Sequence, residues 1–231
     1  MENYDQRIEY AIEHTEVLRP PQQTLATFGT TNIRYFLVTE PLYREIAKVG
    51  EETVIREGRV VAERPRIVTP AYLVNLFEGF EHGSQFADFL LRKYGAEEPG
   101  LLYRYKNEPK DLTIVCDAIA IVARRLHEQV DREGDPLTTI IKGVDDLWDI
   151  CLMKFIHDII RSSVAPNVTE LERRGLLNME AGVPRDARER IEELFEQVEK
   201  GEAEPYELKL ELDRWGLFEE YEDRFFHMFH R

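Results

Sequence analysis

Three residues that could bind a metal ion or transfer a proton, Glu78, Glu81 and His82, follow one another closely in the sequence. Residues four apart share a face of a helix, so the Glu78 carboxylate and the His82 imidazole can reach one point. A carboxylate and an imidazole can bind a metal ion or act as an acid–base pair. They can also form a surface contact at a helix end, where the dipole favours a cationic histidine. We favour the surface contact.

A second candidate site is His157-Asp158, together with His127 on the helix predicted before it. The three residues resemble the metal site of the HD-type phosphohydrolases, whose helices hold divalent metal ions. The resemblance covers no more of the chain than these residues, and the glycine and lysine that follow the pair in that family are absent. Adjacent helical residues also point about 100° apart. We therefore favour a coincidental pair.

Asp149 is a third candidate, because it lies beside Trp148 in a segment that is apolar on nearly every side of a helix. Such a helix is buried on nearly every side. A carboxylate in this setting must be paired with a cation or take up a proton, and functional acids often have such surroundings. Pairing with an arginine or lysine of the same domain is the interpretation that we favour.

Arginines are concentrated in the segment 53–70, which has two more basic than acidic residues although the chain has a net charge of −15. Guanidinium groups on one face of a strand suit a carboxylate or phosphate. A helix start at Thr69-Pro70 adds free N–H groups nearby. We predict an anion-binding patch, with intramolecular ion pairs as the alternative. The patch comprises Arg56, Arg59, Arg64 and Arg66.

The end of the chain has more aromatic and methionine side chains than one helix stripe requires. We predict that they form a contact between two subunits of a homodimer, in which acidic residues one turn earlier provide a polar rim. Docking on the chain's own domain is the alternative. The predicted interface consists of Phe225, Phe226, Met228 and Phe229.

The elements that would position these residues follow from hydrophobic periodicity, caps and turn residues. Helices are predicted over 4–18, from 69 to about 92 with a break or kink near His82, over 112–132, 137–161, 184–198, 205–215 and 217–231. The segment 206–212 also alternates like a strand, but Pro205 and Gly216 favour a helix. Strands are predicted over 32–38, 53–56 and 59–62, with a turn at Glu57-Gly58.

Together these elements predict an α+β fold with mainly helical content. A helical core surrounds a central buried helix over about 137–161, beside a small three-stranded antiparallel sheet over about 32–68. We predict a core domain over 1–165 and an acidic helical appendage over 168–231, which has more than half of the net negative charge.

Composition limits the classes of function. A net charge of −15 disfavours general nucleic-acid binding. Cys116 and Cys151 lie far apart in apolar runs, which predicts buried free thiols in a reducing compartment. The N-terminus has no export signal, and no apolar run approaches the ~20 residues of a membrane span. We therefore predict a cytoplasmic protein that binds no membrane.

The sequence contains no phosphate-binding glycine loop, no zinc-spaced Cys/His set and no nucleophile elbow. We predict a non-enzymatic interaction or regulatory protein with a local anion-binding patch and no cofactor or bound metal. The alternative is a metal-dependent hydrolase of a phosphorylated small molecule. Convergence of its candidate residues around one cavity would favour that alternative. These candidates are Glu78, Glu81, His82, His127, Asp149, His157 and Asp158.

Overall fold

The computed structural model describes residues 2–45, 51–69, 71–72, 91–92 and 100–230. Glu78, Glu81 and His82 therefore lie outside the described residues, as does most of the helix predicted over 69–92. The chain divides into two compact units. The first comprises Met1–Arg64 with Tyr103–Asn167, and the second comprises Pro65–Leu102 with Val168–Arg231.

A five-stranded mixed sheet forms the centre of the first unit. Its strands are β1 (Glu16–Arg19), β2 (Thr31–Thr39), β3 (Thr53–Ala62), β6 (Tyr105–Val115) and β7 (Thr138–Lys142). The strand order is β1-β7-β2-β3-β6. Strand β2 is parallel to β7 and antiparallel to β3, which is also antiparallel to β6, so that β2, β6 and β7 run in one direction.

Within the described residues, three helices cover the two faces of this sheet. They are α1 (Glu2–Glu13), α2 (Ile119–Glu133) and α3 (Trp148–Arg173). Side chains alternate across a strand, and both faces of β2 are apolar. Tyr35 and Leu37 pack with α1 and α3, whereas Phe36 and Val38 pack with α2. The two core layers are therefore separated by the sheet.

The predicted central helix over 137–161 is wrong in its first part. Residues 138–142 form β7, and the α-helix begins only at Trp148. The Asp135 carboxylate accepts bonds from Leu137 N at 3.0 Å and Thr138 Oγ1 at 2.7 Å, which closes a turn into a strand rather than a helix cap. A strand buried between two neighbours is continuously apolar, as a buried helix is.

The predicted three-stranded antiparallel sheet is also wrong. Glu57-Gly58 is not a turn, because Thr53–Ala62 is one strand that pairs with β2 on one side and β6 on the other. The helix predicted over 112–132 begins at Ile119, and residues 112–115 belong to β6. The first helix ends at Glu13, and 16–19 is a strand. Long-range pairing overrides local periodicity in each case.

The described residues of the second unit include three complete helices and two small antiparallel sheets, and the end of α3 also lies in this unit. The three helices are α4 (Arg185–Glu199), α5 (Pro205–Trp215) and α6 (Phe218–His227). The sheets pair β4 (Arg66–Val68) with β5 (Gly100–Leu102), and β8 (Met179–Glu180) with β9 (Val183–Pro184). The helical interpretation of 206–212 is confirmed: Pro205 opens α5, and Gly216 ends it at a φ of 65°. Phe195, Leu208 and Leu212 are fully buried between the helices.

The structure also bears on the predictions about the cysteines and about membrane spans. Both cysteines are free, but only Cys151 is buried, whereas Cys116 is exposed. No helix within the described ranges is long and apolar enough to cross a membrane.

Candidate functional site

A cavity of about 1040 Å³ opens in the first unit where the parallel strands end. Its wall includes Leu42 after β2, Lys142 at the end of β7, and Ile119 at the start of the helix that follows β6. Side chains from α1 complete the wall. The carboxyl ends of parallel strands are where open α/β sheets usually bind ligands. The cavity is therefore the candidate functional site of this unit.

The backbone is tightly held where β7 enters the cavity. A Cβ atom on Gly143 would lie 2.7 Å from Cys151 Sγ, so only glycine allows the loop to pass this close to α3. Gly143 N also donates to Val38 O at 3.1 Å, which joins the loop to the end of β2. The residues that follow Gly143 are thus fixed relative to both parallel strands.

Asp145 anchors the base of the cavity. Its carboxylate accepts hydrogen bonds from Thr39 Oγ1 at 2.8 Å, Arg56 Nη1 at 2.7 Å and Leu42 N at 3.3 Å. The Asp145 and Arg56 side chains are only 17% and 16% exposed. The Arg56 guanidinium also lies 5.6 Å from the ring centre of Trp148. Because these contacts join three strand ends to α3, the base of the cavity is rigid and already neutralised.

Helix α1 provides an aromatic wall. The rings of Tyr10 and His14 stack with centres 3.8 Å apart. His14 Nδ1 donates to the Tyr10 carbonyl oxygen at 2.7 Å, because a carbonyl can only accept. One turn earlier, Arg7 binds Asp146 at 2.7 Å and ties α1 to the loop after β7. The Tyr10–His14 stack therefore gives the cavity an aromatic surface, and the Arg7–Asp146 pair fixes the position of α1 relative to the loop after β7.

Carboxylates outnumber cations among the described residues that line the cavity. Five carboxylates line it with two cations, Arg7 and Lys142, and a third cation, Arg56, lies behind Asp145. Glu16 lies opposite Lys142 in the pairing of β1 with β7. A ligand with a positive charge is favoured in such a cavity. The carboxylates are Glu13, Glu16, Glu40, Asp145 and Asp146.

Among the described residues, the structure does not bring the predicted metal-binding side chains together. His127 is on α2 and His157 on α3, and these helices cover opposite faces of the sheet. Asp149 is exposed. Burial raises the pKa of Asp158, but hydrogen bonds from Lys154 and His157 outweigh it and hold the pKa below its usual range. Within the described ranges, no three His, Cys, Asp or Glu residues could hold a metal ion.

Three of the four predicted anion-binding arginines already pair with carboxylates. Arg56 binds Asp145, and Arg59, on the other face of β3, binds Glu108 at 2.5 Å. Arg66 lies in the second unit, 3.9 Å from Glu211. Arg64 also has a bonded partner. An anion at any of these positions would have to compete with an interaction inside the chain.

The C-terminal aromatic residues divide into a buried and an exposed group. Phe225 is 6% exposed and belongs to the core formed by α4, α5 and α6, and Met228 packs partly buried against that core. Phe226 and Phe229 are 48% and 54% exposed. Only the exposed pair is available for the subunit contact that the sequence predicts.

Sequence reasoning missed the cavity residues Tyr10, Glu13, His14 and Glu16. The spacing of Tyr10 and His14, four apart on a helix, is the one local signal that could have indicated them. Comparison of the chain with protein-family models, curated proteins and solved structures finds no match.

Proposed function

We propose that the chain is a non-enzymatic binding protein whose first unit recognises a small organic cation in the cavity at the strand ends. The observation that carries this proposal is the combination, in one cavity of about 1040 Å³, of more carboxylates than cations among the described lining residues with the stacked rings of Tyr10 and His14. Organic ammonium groups bind where carboxylates and aromatic faces occur together.

The fixed geometry of the cavity supports binding. Asp145 and Asp146 are held by Arg56 and Arg7, so they shape the cavity and add little free charge. Glu13 and Glu16 lie at the end of α1 and the start of β1, beside the aromatic stack. A preformed site loses little entropy on binding. The chain's net charge of −15 would also raise the local concentration of cations.

The separation of His127 from His157 and Asp158 supports binding over hydrolysis. A hydrolase needs its acid, base and metal ligands around one reacting centre. Those residues lie on opposite faces of the sheet, and the cavity carboxylates Asp145 and Asp146 are neutralised by arginines. No group within the described part of the chain favours the hydrolase alternative.

Calorimetric titration of the full chain with diaminobutane tests the proposal, with butanediol as an uncharged probe of similar length. We expect saturable binding of diaminobutane and none of butanediol. In the Glu13→Gln/Glu16→Gln variant, affinity should fall by about tenfold, which corresponds to roughly 1.4 kcal/mol. Loss of Glu16 also leaves the Lys142 ammonium, its neighbour across β1 and β7, to repel the ligand.

The matched control is Glu9→Gln/Glu128→Gln. It removes the same charge from exposed positions on α1 and α2 that do not line the cavity. Equal weakening in both double variants would mean that the diamine only screens a highly acidic surface. Tyr10→Leu should weaken binding by several-fold through loss of the ring face, whereas Tyr206→Leu, an exposed tyrosine of the second unit, should not. Failure of diaminobutane to bind would overturn the proposal.

A further inference from the structure

Strand β6 ends the five-stranded sheet, and no described residue pairs with its outer edge. It is 11 residues long, whereas β1 at the opposite edge has four and an irregular register. A free edge exposes a row of N–H and C=O groups that can pair with another strand, so proteins usually block such edges with lysine, proline or bulges. Because β6 is the longer of the two edge strands, its free edge is the one at which pairing with another strand has to be prevented.

The two halves of β6 differ in whether they contain features that block pairing with another strand. The first half has Lys106, Pro109 and Lys110, and its pairing with β3 is irregular near Gly58. The second half, 112–115, has no charge, no proline and no irregularity. Leu112 and Ile114, two apart and therefore on one face, are 56% and 49% exposed. The features that block edge pairing are thus missing from the part of β6 where the exposed apolar side chains lie.

We propose that residues 111–115 pair antiparallel with the same segment of a second copy of the chain, across a two-fold axis at Thr113, so that Asp111 lies opposite Val115 of the second copy. In this register Leu112 lies opposite Ile114 of the second copy, and the reverse contact follows from symmetry. Thr113 faces Thr113 of the second copy, a pair that suits antiparallel strands. One self-complementary patch is all that a two-fold dimer requires. The two five-stranded sheets then become continuous.

The distribution of charge favours a second copy over an unrelated strand. Two chains with a net charge of −15 repel one another, and the uncharged run 112–115 is where they can approach. The same register places Lys110, which is exposed and pairs with Glu57 in its own chain, opposite Cys116 of the second copy and next to its Asp117, which pairs with Arg125. Symmetry repeats this arrangement of opposite charges on the other side of the axis. The proposal is independent of the cation site.

Sedimentation equilibrium of the full chain over a concentration series tests the proposal. We expect a monomer–dimer equilibrium whose dissociation constant rises by about tenfold or more in the Leu112→Lys/Ile114→Lys variant. Ile12→Lys/Ile121→Lys is the matched control, since it makes the same substitutions at exposed isoleucines of α1 and α2 and adds the same charge. The control should dimerise as the parent does. Circular dichroism establishes that each variant is folded.

A cross-linking experiment tests the register. In a Cys116→Ser background, Thr113→Cys should form an oxidised dimer, because directly opposed antiparallel residues have the Cα separation that a disulfide needs. Thr24→Cys, at another exposed threonine, should not. A monomeric parent, or a Thr113→Cys variant that does not cross-link, would overturn the proposal. So would a dimer that Phe226→Lys dissociates and Leu112→Lys/Ile114→Lys does not, because its contact would lie in α6.

Discussion

The ring of Tyr35 covers Gly58 on the neighbouring strand so closely that a Cβ atom on Gly58 would lie 2.8 Å from Tyr35 Cε1. The two residues are direct partners in the pairing of β2 with β3. Tyr35 is fully buried, and its hydroxyl donates to Asn107 on β6 at 3.0 Å. An aromatic ring over a strand glycine replaces the packing that the missing side chain would provide.

Gly58→Ala should therefore destabilise the protein by about 1–3 kcal/mol, because the methyl group can fit only if the Tyr35 ring moves. Urea unfolding measures the change. Gly100→Ala is the control, since Gly100 is also in a strand but its Cβ would only approach Val68 O at 3.8 Å. Equal midpoints for Gly58→Ala and the wild type would mean that the ring does not rest on Gly58.

The Arg56–Asp145 pair should be worth far more than an exposed pair of the same sheet. Removing either partner leaves the other charge largely buried, so Arg56→Met and Asp145→Ala should each cost about 2–4 kcal/mol. The double variant should lose less than the sum, with a coupling of at least about 1 kcal/mol. The exposed Arg59–Glu108 pair should show a smaller coupling. If the losses of stability in the Arg56 and Asp145 single variants added up in the double variant, the two side chains would not form the ion pair that the structure shows.

The elements that the sequence predicts correctly are those with local start and stop residues. Helix α5 is an example, because Pro205 fits the first turn and Gly216 takes the positive φ that ends the helix. Strand β2 is recognisable from its own β-branched and aromatic residues. In neither case does the element depend on knowing what lies beside it in the fold.

The remaining elements depend on neighbours that are distant in the sequence. Thr138–Lys142 is a strand because β1 and β2 lie on either side of it, and its own residues fit a buried helix equally well. Gly58 fits a turn until Tyr35, more than twenty positions earlier, is placed above it. The cavity can be located only when the three parallel strands are placed in the correct order. A sequence interpretation that assigns β6 and β7 to helices therefore cannot locate it.

The raised pKa of the Tyr103 hydroxyl predicts how the free energy of unfolding changes at alkaline pH. Burial raises the pKa of Tyr103 to about 12, and its hydroxyl donates to Asn167 Oδ1 at 2.7 Å. The unfolded tyrosine ionises near pH 10. A pKa that is higher in the folded state means that the contribution to stability is complete below about pH 10 and is lost as the pH rises to about 12.

In urea unfolding at a series of pH values, Tyr103→Phe should therefore be less stable than the wild type at neutral pH, through loss of the hydrogen bond. It should also lose less stability between about pH 10 and 12, because phenylalanine cannot ionise. Tyr105→Phe, at an exposed tyrosine of β6, is the control and should keep the wild-type slope. Parallel pH profiles for Tyr103→Phe and the wild type would show that Tyr103 is not shielded from solvent.

The neighbouring residues Phe225 and Phe226 should respond in opposite ways to substitution. Phe225 is buried, and its ring centre lies 5.6 Å from Phe218, 5.7 Å from Phe226 and 5.4 Å from Phe229. Phe225→Ala should cost about 3–5 kcal/mol, the range for removing a buried aromatic side chain. Phe226→Ala removes a side chain that is about half exposed, so its cost in the monomer should remain below about 1 kcal/mol.

Concentration dependence separates packing from the subunit contact that the sequence predicts at this end of the chain. If Phe226 and Phe229 meet a second subunit, Phe226→Ala/Phe229→Ala should lower the unfolding midpoint more at high protein concentration than at low, because dimerisation stabilises by mass action. Phe225→Ala should lower it equally at both concentrations. A double variant that is also insensitive to concentration would confine all three aromatic side chains to packing within one chain. A Phe225→Ala variant as stable as the wild type would contradict the burial of that ring between α4, α5 and α6.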